Sequence, residues 1–144
     1  MFAPAATSRH RSTASAGAYR TVGVETGVDG ASPHHLVTML FDGFTDAVAQ
    51  ARSAMALGQV EAKCKAITRA ARIVDEGLKA PLDVAGGALT ENLRTLYGYV
   101  ALRLTHANLH NDAQALDECV KLIEPVRSAW LAIGPAADLP AGAR

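Results

Sequence analysis

His106 and His110 stand four residues apart, the step that sets two imidazoles on one side of a helix where they can share a metal ion. A helical metal centre of the carboxylate-bridged kind also needs acids among its histidines, as in Glu-x-x-His, and no such sequence occurs here. His34 and His35 are adjacent at the start of another predicted helix, so all four read as solvated or capping side chains with no metal expected. Cys64 and Cys119 lie among apolar neighbours, where a free thiol behaves as a small buried hydrophobe; a reducing compartment without disulfides is expected. Ser, His and Asp are present, but no nucleophile elbow or strand would assemble them. Nor is there a Gly-x-x-x-x-Gly-Lys loop to cradle a nucleotide. The expectation is a protein that is no enzyme and uses no cofactor.

Composition narrows the partners. The 144 residues carry 14 basic and 14 acidic side chains, so the summed field offers no long-range attraction for phosphate backbones or anionic lipid. No nucleic acid and no direct membrane insertion are expected, because no apolar run approaches the ~20 residues of a membrane span. Lys63, Lys65, Arg69 and Arg72 read as the wet face of a helix. Hydrophobic residues make up 49% of the chain but aromatics only 5%, which points to a core of Ala, Leu, Val and Ile and hence to helices rather than strands.

The elements follow from periodicity. Residues 1–18, without a single acid, are expected to form a disordered arm rather than a targeting peptide. Residues 19–31 read as an extended segment or short cap on the body of the protein. Ser32-Pro33 opens the first helix, with a hydroxyl cap and a proline at the position whose N–H has no partner anyway. Leu36, Leu40, Ala47, Val48, Ala51 and Met55 form its apolar stripe, and Gly58 ends it. A second helix from residue 59 or 60 places Ala62, Ala66, Ile67, Ala70, Ile73 and Val74 inward, and Ala80-Pro81 is expected to stop it. The third carries Leu89, Leu93, Leu96, Tyr97, Val100, Leu104 and Ala107. Asn111-Asp112 caps a fourth, with Leu116, Cys119, Val120, Ile123, Val126 and Trp130 inward and Pro125 expected to kink it. Short links between four such segments predict an all-α, antiparallel four-helix bundle over residues 32–133, with a flexible tail over 134–144.

Apolar side chains exceed what those stripes use. At about 100° per residue, Leu102 and Leu109 fall opposite the core stripe of the third helix, with Tyr99 at the flank. On the first helix Val37 and Phe41 lie off the side set by Leu36, Leu40 and Val48. A helix that is apolar on two faces either sits deep in a large core or offers one face to a partner. Periodicity leaves both readings open; in the second, Phe41, Tyr99, Leu102 and Leu109 line a groove.

Several runs are more specific. Ala18-Tyr19-Arg20-Thr21-Val22-Gly23-Val24-Glu25-Thr26, Ala31-Ser32-Pro33-His34-His35-Leu36-Val37 and Met39-Leu40-Phe41-Asp42-Gly43 come first. Gly86-Gly87, Asn92-Leu93, Leu96-Tyr97 with Tyr99, and Ala107-Asn108-Leu109-His110-Asn111-Asp112 follow in order. Together they resemble the flagellar export chaperone family FliS, over about residues 18 to 132, with departures at Ala16, Ala88-Leu89 and Gly98. The resemblance implies a cytoplasmic helical bundle that binds the C-terminal helical segment of flagellin, prevents premature polymerisation and assists delivery to the membrane protein of the flagellar type III export gate. A co-chaperone is a further implied partner. Tyr19 matches the family's N-terminal tyrosine, and Tyr19, Val22 and Val24 are expected to act as a lid over the groove or as the gate contact. Two other classes remain: a bundle holding a metal or small ligand, and a self-assembling structural bundle. Metal analysis separates the first of these from a chaperone, and complex formation with a flagellin peptide separates the second.

Overall fold

A computed structural model describes residues 32–84 and 86–134. The N-terminal arm, the 19–31 segment with Tyr19, Val22 and Val24, and all of the tail beyond Gly134 lie outside the described residues. Four α-helices make up most of the rest: α1 (Pro33–Ala56), α2 (Val60–Arg72), α3 (Ala88–His110) and α4 (Ala113–Ile133).

Their boundaries have local causes. Ser32 is extended, and its hydroxyl accepts from the His35 N–H at 3.1 Å, with Pro33 in the first turn. After α1, Gly58 takes a φ of +69°, a left-handed conformation that costs a residue with a Cβ 1 kcal/mol or so. Asp112 caps α4 by accepting from the N–H groups of Gln114 and Ala115. α4 is helical through Pro125. Pro125 and Lys121 are both exposed, so water can serve the carbonyl that loses its helical donor.

Pro81 does not stop the second helical segment as expected. α2 proper ends earlier, and the chain widens into a π-helical stretch, Ile73–Lys79, then tightens into 3-10 turns over Ala80–Val84. Proline fits there because its fixed φ suits a tight turn. The widened stretch faces α1, where a Cβ on Gly77 would lie 3.1 Å from both methyls of Leu40. Bare backbone is what lets α1 come that close.

Cross-helix contacts fix the packing order and show that neighbours run antiparallel. Asp42 pairs with Arg127 and Arg52 with Asp117, so α1 descends along α4. Tyr99 and Arg103 meet Glu118, and Lys63 meets Asn108 and Asn111. Each helix therefore packs on its sequence neighbours, and α4 closes the ring against α1. Phe44, Ala47, Val48 and Ala51 meet Ala66, Ile67, Ala70 and Val74 in the core, with Val100, Leu104, Leu116, Cys119 and Ile123 from the other pair. Alanines dominate the facing sides of α1 and α2, which lets those two axes approach closely. Tyr97 and Val100 are buried as expected, while Leu93, Leu96 and Trp130 pack half-buried against the core.

Two side chains expected in water are inside. Lys63 is only 5% exposed, whereas Ala62 faces solvent. The first turn of α2 is thus rotated relative to the expected stripe, because the Lys63 ammonium donates to the Asn108 carbonyl at 2.8 Å and to Asn111 Oδ1 at 2.6 Å. Asn108 lies in the last turn of α3, where carbonyls lack helical donors and attract a cation, and Asn111 is the C-cap of that helix. His34 is buried too. Its ring stacks on Trp130 at 4.7 Å, its Nε2 donates to the Trp130 carbonyl, and the indole N–H donates to the His34 carbonyl.

Candidate functional site

The apolar surplus of α3 is at the surface. Leu102 is 71% exposed, Leu109 74% and Tyr99 43%. With half-buried His106 they follow steps of three, four and three residues, one stripe about 15 Å long at 1.5 Å per residue. The remaining large exposed apolar side chains among the described residues cap the ends of the bundle. Leu57 and Val60 lie at the α1–α2 turn, and Leu89, Leu131 and Ile133 at the opposite end. Among the described residues only the α3 stripe runs along a helix, as a docking face for another helix must.

Phe41 does not belong to this face. It is 2% exposed and sits in the core with Phe44 and Tyr97, because the buried side of α1 is wide enough to take both phenylalanines. The buried side of α1 is wider than the stripe through Leu36, Leu40 and Val48, and Leu40 itself is only half-buried.

The stripe has a polar margin on the α4 side. Glu118 accepts from the Tyr99 hydroxyl at 2.6 Å through one oxygen and from Arg103 Nε at 2.7 Å through the other. Hydrogen bonding to Tyr99 first, and to Arg103 second, holds the Glu118 carboxyl below its ordinary range. The same bonds push the Tyr99 phenol and the Arg103 guanidinium upward. Further along, His106 Nε2 lies 3.2 Å from Asp112 Oδ2. The Asp112 carboxyl is held low, first by the backbone N–H of Ala115.

Other chemistry finds little here. The rings of His106 and His110 approach to 4.5 Å, but among the described residues no group of three or more His, Cys, Asp or Glu side chains is arranged to hold a metal ion. Burial pushes the Cys119 thiol up to about 12, far from a reactive thiolate. No helix among the described residues is long and apolar enough to cross a membrane.

Glu118 and Arg103 escaped the sequence reading. Arg103 is four residues beyond Tyr99 on the same helix, a visible signal, but their shared acid lies on α4. Only the register between α3 and α4 brings it there, and spacing along one helix does not specify that register.

Residues 15–137 match the model of the family described as Flagellar protein FliS. The chain is 47% identical over 122 residues to the flagellar secretion chaperone FliS of Salmonella typhimurium, covering 84% of this chain and 90% of that one. It is 40% identical over 114 residues to the FliS chaperone of Escherichia coli, covering 78% and 84% of the two chains. Against that of Vibrio cholerae the identity is 34% over 119 residues, covering 82% and 87%.

Proposed function

The chain belongs to the FliS family of flagellar secretion chaperones, and from that premise we propose that its client is the C-terminal helical segment of flagellin, bound along the outward face of α3. The single observation that carries this reading is the exposed stripe of Tyr99, Leu102 and Leu109. A filament subunit held before export must hide amphipathic helices that would otherwise self-associate. Laying such a helix along an apolar stripe of matching period buries both. Wrapping further onto neighbouring helices would raise the area covered above ~2,000 Å², the range of durable interfaces. Ordering the client costs about 2–5 kcal/mol of that gain, which keeps the complex reversible.

In this reading the protein works in the cytoplasm by binding alone, without catalysis or a cofactor. It prevents premature polymerisation and passes its client to the membrane protein of the export gate, with room for a co-chaperone. Tyr19, Val22 and Val24 act as a lid over the client face or as the gate contact. The decisive experiment is a pull-down of flagellin by the full chain, repeated with flagellin lacking its C-terminal segment. Capture of the intact client and loss of the truncated one is the expected result. Equal capture of both overturns the assignment of the segment. Deleting residues 1–24 tests the lid, because removal of a competitor raises affinity for a flagellin C-terminal peptide in calorimetry. Unchanged or weaker binding removes the lid from the scheme.

A further inference from the structure

We infer that Glu118 is the positioning residue of the client face, holding Tyr99 and Arg103 in their binding orientation before any client arrives. The inference rests on the reading of α3 as the client face and assigns a role to a residue of α4 within it.

Tyrosine and arginine are the side-chain types that most often dominate the energy of protein interfaces, since each combines apolar or planar area with directed donors. On this face one of each stands at the margin of the apolar stripe, and both are tied to one acid. The Tyr99 hydroxyl spends its proton on Oε2 of Glu118 at 2.6 Å, and Arg103 spends its Nε–H on Oε1 at 2.7 Å. Each carboxylate oxygen thus serves a different α3 residue. Tyr99 and Arg103 are four apart, so the carboxylate bridges one full turn of α3 and sets both side chains against the same edge of the helix.

The consequence is entropic. A free surface tyrosine or arginine samples several rotamers and loses that freedom when a partner covers it, which weakens binding. Here folding has already restricted both. The Tyr99 ring is 43% exposed although its hydroxyl is anchored, so its faces remain available beside Leu102, three residues on. Arg103 bonds Glu118 through Nε, which leaves the terminal nitrogens of its guanidinium for acceptors on the client. An ordinary surface ion pair has no need to anchor an aromatic ring at the edge of an apolar stripe. This one does so on the only helix whose length carries such a stripe among the described residues.

The test compares the wild type with Glu118→Ala, Glu118→Gln, Tyr99→Phe and the Glu118→Ala/Tyr99→Phe double variant, measuring affinity for a flagellin C-terminal peptide by calorimetry. Glu118→Ala should weaken binding about tenfold, with a thermal midpoint within a few degrees of wild type. Tyr99→Phe should weaken it less, and the double variant should be no weaker than Glu118→Ala alone, since the hydroxyl acts only through the acid. The titration of the Tyr99 phenol, followed by ring NMR signals, should fall toward the ordinary tyrosine value in Glu118→Gln. A merely structural α3–α4 link would not make the two losses redundant in this way. Should Glu118→Ala melt much earlier, Glu118→Gln, of the same shape, carries the binding comparison. Binding within twofold of wild type in both Glu118 variants, or additive losses in the double variant, overturns the inference. Leu102→Gln serves as control: if it weakens binding about thirtyfold while both Glu118 variants stay within twofold of wild type, the client face stands and the positioning role falls. If Leu102→Gln also binds normally, both fall.

Discussion

Replacing Leu102 and Leu109 together by glutamine separates the demands of folding from those of binding. Fully burying a leucine is worth about 1.5–3 kcal/mol. With Leu102 71% and Leu109 74% exposed, the folded monomer realises less than a third of that at each site. Glutamine keeps the aliphatic stem and nearly the same helix propensity. The expected loss of stability is therefore about 0.5 kcal/mol per site, or roughly 3–5 °C in melting temperature for the pair. Binding asks the reverse. The exposed share is what a client helix would cover, and the substitution forfeits it while also burying an amide. That amounts to ~2 kcal/mol per leucine, roughly thirtyfold in affinity for each and about a thousandfold together. Phe41→Ala supplies the contrast: at 2% exposure it should cost about 3–5 kcal/mol of stability. Circular dichroism reads the melting temperatures, and calorimetry against a flagellin C-terminal peptide reads the affinities. A double glutamine variant that melts about as early as Phe41→Ala would mean that the leucines are covered in the free protein, and the reasoning would fail. So would an affinity changed by less than about fivefold.

Three further outcomes follow from the geometry. Lys63→Met removes a buried cation but strands the half-buried Asn108 carbonyl, and a net loss of about 1–2 kcal/mol in denaturant unfolding is expected; equal or greater stability would show that desolvation of the ammonium outweighs its two bonds. Gly98, within α3, has room for a methyl group, since a Cβ there would meet only Lys79 Nζ, at 4.0 Å. Gly98→Ala should thus stabilise the fold by about 0.5–1 kcal/mol, and weaker client binding in the same variant would show that bare backbone is needed on that face. Asp112 and Glu118 have carboxyls held below their ordinary 3.8 and 4.5. Their contribution is complete above those values and disappears as pH falls through the lower folded-state ones. The melting temperature should hold from neutral to about pH 5 and drop below it, less steeply in Glu118→Gln; an identical slope in that variant would remove Glu118 from the linkage.

The four helices were legible because each signals itself locally. Ser32-Pro33, Gly58 and Asn111-Asp112 mark boundaries, and three-and-four spacing marks faces. The exposed stripe was legible for the same reason, since Leu102 and Leu109 lie half a turn from Val100 and Leu104 on a single helix. What escaped depended on relations between helices. The inward turn of Lys63 requires the last turn of α3 beside it, and nothing within α2 announces that neighbour. The π-helical stretch brings Gly77 against Leu40, a contact between residues far apart in sequence. Phe41 lies off the stripe of Leu36, Leu40 and Val48 and is buried all the same, because the width of a buried face is set by how many helices surround it.

The same distinction bears on how α3 can present an apolar face at all. Its inner stripe, Tyr97, Val100, Leu104 and Ala107, and its outer one, Tyr99, Leu102, His106 and Leu109, repeat with identical steps on opposite sides. Hydrophobicity alone barely distinguishes this orientation from one rotated by half a turn. The polar contacts do distinguish them, because Arg103, Asn108 and Arg94 lie on the two flanks, roughly a right angle from either stripe at about 100° per residue, and Tyr99 reaches in from the edge of the outer one. On the α4 side Arg103 and Tyr99 hold Glu118; on the α2 side Asn108 receives Lys63, and Arg94 pairs with Asp83. Half a turn of rotation would separate all of these and leave Lys63 buried without acceptors, a far larger penalty than exchanging one set of leucines for another. Pairs that contribute little to stability individually can thus decide which apolar face stays outside. On the proposed client face, orientation has to be fixed by something other than the hydrophobic effect, and in α3 the flanking polar pins supply it.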